Sequence, residues 1–516
     1  MDRFEGESGK QTEWKTETIE TDTALTVYWE KPERFLTGHR YILSVNGKKA
    51  GETDKTHYTF DGLEPERDYE IAIYWMENDT CIACERLAVK TKRKKRRLDI
   101  TAAPYRAAGD GRTVNTQAIQ RAIDECDEDS LVYIPAGIFL TGALRLHSNM
   151  EVYLEEGAVL QGTADREDYL PYIPSRFEGI ERMCYSSLLN LGEMDSTGGY
   201  NCCNVTIRGH GTIAGGGKKL AERMIAFETE KMKEQLLALG DKIREYEKPE
   251  TIPGRLRSRL INISNCRNIV VSGLTLKNGA SWNVHMVYSD HIVTDHCTFF
   301  SQDVWNGDGW DPDSSANCTI FACVFHTGDD AVSIKSGKNP EGNRIGRPCR
   351  NIRIFDCRCV CGHGITIGSE ISGGVENVSI WDCDMTQSRC GIEIKATAKR
   401  GGYVRNVTVR DCAAARLLFH SVDYNDDGEG APEPPVFESC RFQNVYVTGQ
   451  YLKDQKEKVF CKALELCGFG QKGHQLRNIV FENIRLGCQE DGKEQEISMK
   501  YCENIMFKNI SSAFRQ

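Results

Sequence analysis

Proline is scarce in this 516-residue chain, with 14 residues against 47 glycines. That scarcity, beside 40% apolar residues, excludes a disordered proline-rich polymer and leaves a folded protein with many tight turns. Long apolar runs are missing too: none reaches the length needed to span a bilayer, and the polar stretch Met1–Trp14 has no leader-like apolar segment. A cytoplasmic protein without a membrane partner is therefore expected. Positive charge is in deficit, 65 Lys and Arg against 75 Asp and Glu, and the net charge of -10 gives no general attraction to nucleic acid. Only Lys92-Arg-Lys-Lys-Arg-Arg97 runs against this, and six bases in a row read as a solvated linker. Cysteine is plentiful, at 22, but scattered along a large chain it reads as reduced, buried thiols rather than a disulfide framework. Cys81-Ile-Ala-Cys84 has no second pair and does not make a zinc site.

The length exceeds what one hydrophobic core supports, so a principal domain with an accessory module is expected. After a polar tail over residues 1–12, residues 13–91 carry short alternating apolar runs, Leu25–Trp29, Tyr41–Val45 and Tyr69–Ile73, separated by turns. This is the pattern of a small β-sandwich, whose core Trp29 would fill. Within it, Gly62-Leu-Glu-Pro-Glu-Arg-Asp-Tyr69 resembles the fibronectin type III signature, in which a leucine, a proline and a corner tyrosine precede a strand.

Beyond the linker at 92–97, residues 98–516 repeat one phrase, an asparagine followed by alternating apolar residues, at Asn268, Asn317, Asn351, Asn377, Asn406, Asn478 and Asn504. The spacing is 26 from 351 to 377, 29 from 377 to 406 and 26 from 478 to 504, with 34 from 317 to 351 where a loop intrudes. Repeats of this length predict one solenoid coil each, with inward side chains such as Cys357, Cys383 and Cys412 stacking on the next coil. Asp110–Asp124 reads as a turn and an amphipathic helix that plugs the first coil. Across residues 218–247, Leu220, Met224, Phe227, Leu236, Leu239, Ile243 and Tyr246 fall at helical spacing. This long helical insertion packs on the solenoid, walls one end of a cleft, or joins copies in a homo-oligomer.

Chemistry-bearing residues concentrate between Asn306 and Ser369, as Asn306-Gly-Asp308, Gly328-Asp329-Asp330 and Gly362-His363-Gly364. A solenoid stacks equivalent positions, so Asp308, Asp329 and Asp330 are expected to converge on one patch. Crowded carboxylates raise one another's pKa, which lets one stay protonated as an acid while another is ionised as a base, as glycosidic hydrolysis requires. Single aspartates nearby, such as Asp311 and Asp313, read as turn caps, and clustered carboxylates are also a calcium-binding pattern.

These three motifs in this order, with Pro135–Gly142 and Trp282-Asn-Val-His285, resemble glycoside hydrolase family 28, the polygalacturonases and their relatives, from about Leu98 to the end. The resemblance implies an all-β chain, a right-handed parallel β-helix behind the fibronectin-like sandwich, and an inverting hydrolase of pectic oligosaccharides with no metal or other cofactor. It implies Asp329 as the acid, Asp308 and Asp330 as the groups that position and deprotonate water, and His363 as the keeper of their protonation state. Asn306, Trp282, His285, Lys395, Glu393, Gly362 and Gly364 would meet the substrate. One departure stands out. Where the family has R-I-K to grip a uronate, this chain has Glu393-Ile-Lys395, so a neighbour such as Arg389, Lys399 or Arg400 is needed to offset the extra carboxylate. Galacturonate, a galacturonosyl-rhamnose linkage and a neutral pectic sugar stay open. The insertion and a supply of short oligosaccharides favour cutting from a chain end. A pectate-lyase-type enzyme and a non-catalytic carbohydrate-binding β-helix are the competing classes.

Overall fold

The computed structural model describes residues 14–34, 37–240, 255–422, 429–487 and 496–512. The tail at 1–12 and the far part of the expected insertion, 241–247 with Ile243 and Tyr246, lie outside them. The chain divides into two compact units, Met1–Arg96 and Arg97–Gln516.

The first unit holds a three-stranded antiparallel sheet, Thr16–Glu20, Leu25–Trp29 and His57–Phe60, and a four-stranded one, Lys48–Thr53, His39–Val45, Asp68–Glu77 and Thr80–Lys90. Alternation sends Leu25, Val27 and Trp29 from one sheet and Tyr41, Leu43, Ile71 and Ile73 from the other into a shared core. Trp29 is fully buried, edge-on to Tyr41 with ring centroids 4.9 Å apart. The Tyr69 hydroxyl accepts from the Glu64 N–H at 2.8 Å, which fixes the corner before its strand.

In the second unit the chain winds in coils. Through the middle of the unit each coil gives one strand to an 11-stranded parallel sheet and two to a 23-stranded one, the arrangement of a parallel β-helix. The recurring asparagines explain how the coils turn. Asn351, Asn377 and Asn406 have φ of 57°, 58° and 57°, in the left-handed region that asparagine tolerates better than most residues. Their side-chain amides also form a ladder: Asn351 donates to Asn317 at 3.0 Å, Asn377 to Asn351 at 3.2 Å and Asn406 to Asn377 at 3.2 Å. Inside, Cys357, Cys383 and Cys412 are buried, and each thiol donates to the carbonyl two residues back.

The helix Thr116–Asp124 buries Ile119, Ala122 and Ile123 in the same core as the first coils. The insertion is two helices rather than one, Gly217–Lys231 and Lys233–Ala238, because the backbone leaves helical geometry at Met232. Leu220, Met224 and Leu236 are buried, but Phe227 is 40% exposed beneath the Arg166 guanidinium.

Replacing Asn377 with alanine removes a ladder bond and forces a Cβ-bearing residue without local side-chain compensation into the left-handed region. The expected loss is about 1–2 kcal/mol, read from the denaturation midpoint. Asn377→Gly should lose less, since glycine accepts the backbone geometry; equal losses would rule out the conformational part.

Candidate active site

The 11-stranded sheet presents its outer face as a row of polar side chains. In the strand Asp330–Ile334 and the residue that follows, alternation turns Val332 and Ile334 inward and Ser333 and Lys335 outward. In Gly391–Ala396, Ile392 and Ile394 point to the core while Glu393 and Lys395 share the outer face. Register then aligns Ser333 with Thr366, Thr366 with Glu393, and Lys395 with His420.

Three expected acids come together at the start of these strands. Asp308 precedes the strand Trp310–Asp313, and the next residue, Gly309, donates its N–H to the Asp330 carbonyl of the following coil at 3.0 Å. His363 Nδ1 lies 2.8 Å from Asp329 Oδ1 and 3.3 Å from Asp330 Oδ1. Asn306 donates to Asp329 Oδ2 at 3.2 Å and is itself held by the buried Arg257, which donates to its Oδ1 at 2.8 Å. Asp330 accepts from Thr366 at 2.8 Å and Ser333 at 3.2 Å. Asp329 and His363 keep a part-exposed edge, whereas Asp308 and Asp330 are buried.

The cations divide these acids into groups. Lys335 Nζ sits 3.2 Å from Asp308 and 3.6 Å from Asp311, and Lys395 Nζ sits 3.7 Å from Asp330 and 3.4 Å from Glu393. Burial, then repulsion by Asp311, raises the Asp308 pKa well above the usual range although Lys335 opposes both. Burial also pushes Asp311 up to about 8 against the pull of Lys335. For Asp329 burial acts in the same upward direction but is outweighed by His363, Lys395 and Lys335, so its pKa is lowered. Asp330 is likewise lowered, with burial overcome by Lys395 and the His363 contact. His363 is held up at about 10, since burial is overcome by the two carboxylates. Burial thus favours the protonated forms of Asp308 and Asp311, while Asp329 shares a proton with the imidazole 2.8 Å away.

Glycine is required on both sides of His363. Gly362 has φ +77°, and a Cβ there would collide with the Asp329 carbonyl; Gly364, at φ +102°, abuts the Gly391 carbonyl. This close approach lets the His363 N–H donate to the Asp329 carbonyl at 2.9 Å. Asp329, Asp330 and His363 also place one ligand atom each within 4.8 Å of one another, a spacing that fits a metal ion as well as a shared proton.

Two expected substrate contacts lie elsewhere. Trp282 is 3% exposed and His285 fully buried. The antiparallel hairpin Ile173–Phe177 and Ile180–Cys184 covers the sheet there: Phe177 packs on the Trp282 ring with centroids 5.3 Å apart, and Arg176 pairs with Asp313 at 2.6 Å. His285 Nε2 faces Asp313 Oδ2 at 3.5 Å, and burial drives its pKa down to about 3. As placed, neither ring faces solvent, so the expected sugar contact is corrected to a place beneath the roof. Asp311 and Asp313 are not turn caps either; they are buried strand residues paired with Lys335 and Arg176. The groups that offset Glu393 are Lys395, 3.4 Å away, and His420. Burial would raise its pKa, but Lys395 and a 2.9 Å contact with His420 Nδ1 hold it at about 2. Arg400 donates to Asn339 Oδ1 at 2.6 Å and to the Ser369 carbonyl at 3.0 Å.

Lys335 was findable from the period-two pattern of Asp330-Ala-Val-Ser-Ile-Lys335. Arg176 was not, because it reaches Asp313 from a hairpin 137 residues earlier.

The raised His363 pKa has a sign. Its stabilisation is complete below the unfolded value of 6.5 and is lost as pH rises through about 10. Thermal unfolding of the wild type should therefore weaken between pH 7 and 10, and His363→Gln should flatten that limb; parallel curves would remove the His363 pairing from the account. Gly362→Ala should retain the fold signature but lose at least about 100-fold in turnover, the lower end of what a positioned proton-transfer group supplies.

Comparison with known proteins agrees with this geometry. The profile for "Glycosyl hydrolases family 28" matches residues 189–417. An exo-poly-alpha-D-galacturonosidase of Dickeya chrysanthemi is 26% identical over 472 residues, 88% of this chain and 78% of that protein. An endo-polygalacturonase of Pectobacterium parmentieri is 30% identical over 341 residues, 62% of this chain and 74% of that protein. In fold, the family 28 exopolygalacturonase of Yersinia enterocolitica superposes with a TM-score of 0.79 at 22% identity, covering 98% of this chain and 99% of the other. With its stacked acids and this degree of relatedness, the chain belongs to glycosyl hydrolases family 28 and is a glycoside hydrolase.

Proposed function

We propose that this protein hydrolyses α-linked galacturonate bonds in pectic oligosaccharides from a chain end, with inversion at the anomeric carbon. The observation that carries the end-acting part is the hairpin Ile173–Cys184. It roofs the outer sheet face through Ser175 to Asn262, Phe177 to Trp282 and Arg176 to Asp313, so a polymer has no open groove to thread along on that side of the acids. The exo-acting relative from Dickeya supports the same reading.

In this mechanism Asp329 hands the proton it shares with His363 to the glycosidic oxygen as the C–O bond breaks. Water attacks the anomeric carbon from the opposite face and loses a proton to Asp330, which Lys395, Ser333 and Thr366 hold ionised. Asp308, kept protonated by burial, orients that water. Lys395 meets the uronate carboxylate; Glu393 is already balanced by Lys395 and His420, so it does not stand as a bare opposing charge. We read the N-terminal unit as a fibronectin type III-like module, on the three-plus-four sheet arrangement and the Tyr69 corner.

Asp329→Asn should lower turnover of oligogalacturonides by roughly 10²–10⁴-fold with the fold intact. Products followed by NMR should show a new reducing end of inverted configuration and no ultraviolet enone band. An enone product suppressed by chelator would instead make the enzyme a lyase, and wild-type rates in the variant would remove Asp329 as the acid.

A further inference from the structure

Beside the acids opens a cleft of about 610 Å³ whose lining includes Gly328, the residue before Asp329. The lining is supplied by the same turn of four coils. Lys218 follows the strand Thr212–Ala214, Asn278 follows Thr275–Lys277, Gln302 to Trp305 follow Thr298–Phe300, and Gly328 follows Val324–His326. Because the turns stack, side chains far apart in sequence face one small volume next to Asp329. Among the described residues lining it, Lys218 is the single cation and Asp303 the single acid.

The chemistry of this lining is selective. The amides of Asn278 and Gln302 and the carboxylate of Asp303 suit a ring rich in hydroxyl groups, which donate and accept at once. Trp305 gives a flat apolar wall, held in place by the Arg257 guanidinium 4.1 Å from its ring centroid. Gln302 is steadied by its amide donating to Cys361 Sγ at 3.3 Å. A neutral sugar would use all of these and leave the ammonium of Lys218 idle. A uronate uses it as well. Lys218 lies at the start of the helix Gly217–Lys231, so this charge comes from the insertion and not from the repeating coil.

We infer that the cleft is a subsite for a uronate unit adjoining the scissile bond, with the sugar carboxylate paired to Lys218 and the ring laid against Trp305. This rests on the hydrolytic reading above and adds to it a residue that sets substrate choice independently of Lys395.

The test compares kcat/KM for trigalacturonate with that for its methyl ester, in wild type, Lys218→Ala and Lys218→Arg. Wild type should prefer the free acid, and Lys218→Ala should lose about tenfold of that preference, equivalent to about 1.4 kcal/mol. Lys218→Arg should keep most of it. Lys218 is exposed, so neither variant should disturb folding, and matching thermal unfolding curves check this. An Ala variant that discriminates as well as wild type overturns the subsite while leaving the hydrolase intact. Wild type that cleaves neither substrate overturns the hydrolytic reading and the subsite with it.

Discussion

The hydrogen bond from the Gly309 N–H to the Asp330 carbonyl is the constraint on which the site depends. It locks the coil carrying Asp308 to the coil carrying Asp329 and Asp330, so the spacing of the acids is fixed by backbone pairing instead of by flexible side chains. The His363 N–H repeats the device one coil later by bonding the Asp329 carbonyl. A parallel sheet offers this rigidity at every rung, and the acids stand where its strands begin.

Packing so many carboxylates on one face would be costly without internal cations. Lys335 serves Asp308 and Asp311, Lys395 serves Asp330 and Glu393, and Arg176 serves Asp313. The outcome is a division of labour by environment: the pKa values of Asp308 and Asp311 are raised, while those of Asp313 beside Arg176 and of Asp329 and Asp330 near His363 and Lys395 are lowered. Identical side chains within a few residues of each other thus hold different charge states.

Much of this was legible in the chain. The asparagine phrase gave the coils because its physical cause, a left-handed turn closed by an amide ladder, is local to each repeat. The convergence of Asp308, Asp329 and Asp330 followed from stacking alone. What could not be read was anything supplied from outside the repeat. Trp282 and His285 belong to an outer face that an open groove would expose, yet a distant hairpin covers them. Part of the counter-charge to Glu393 comes from His420, on the next strand, beside that of Lys395.

The hairpin touches the sheet through Arg176 and Phe177 and reaches Asp313 and Trp282, and among the described residues its bonds stop short of Asp308, Asp329 and Asp330. Architecture of this kind separates two properties that most clefts entangle. Lengthening or exchanging the tip of that excursion, with Arg176 and Phe177 kept, would alter how far a chain extends past the break while leaving bond-breaking groups in register. Variation among descendants of such a scaffold can therefore explore polymer-cutting and tip-trimming habits through a single loop, with the chemistry inherited unchanged.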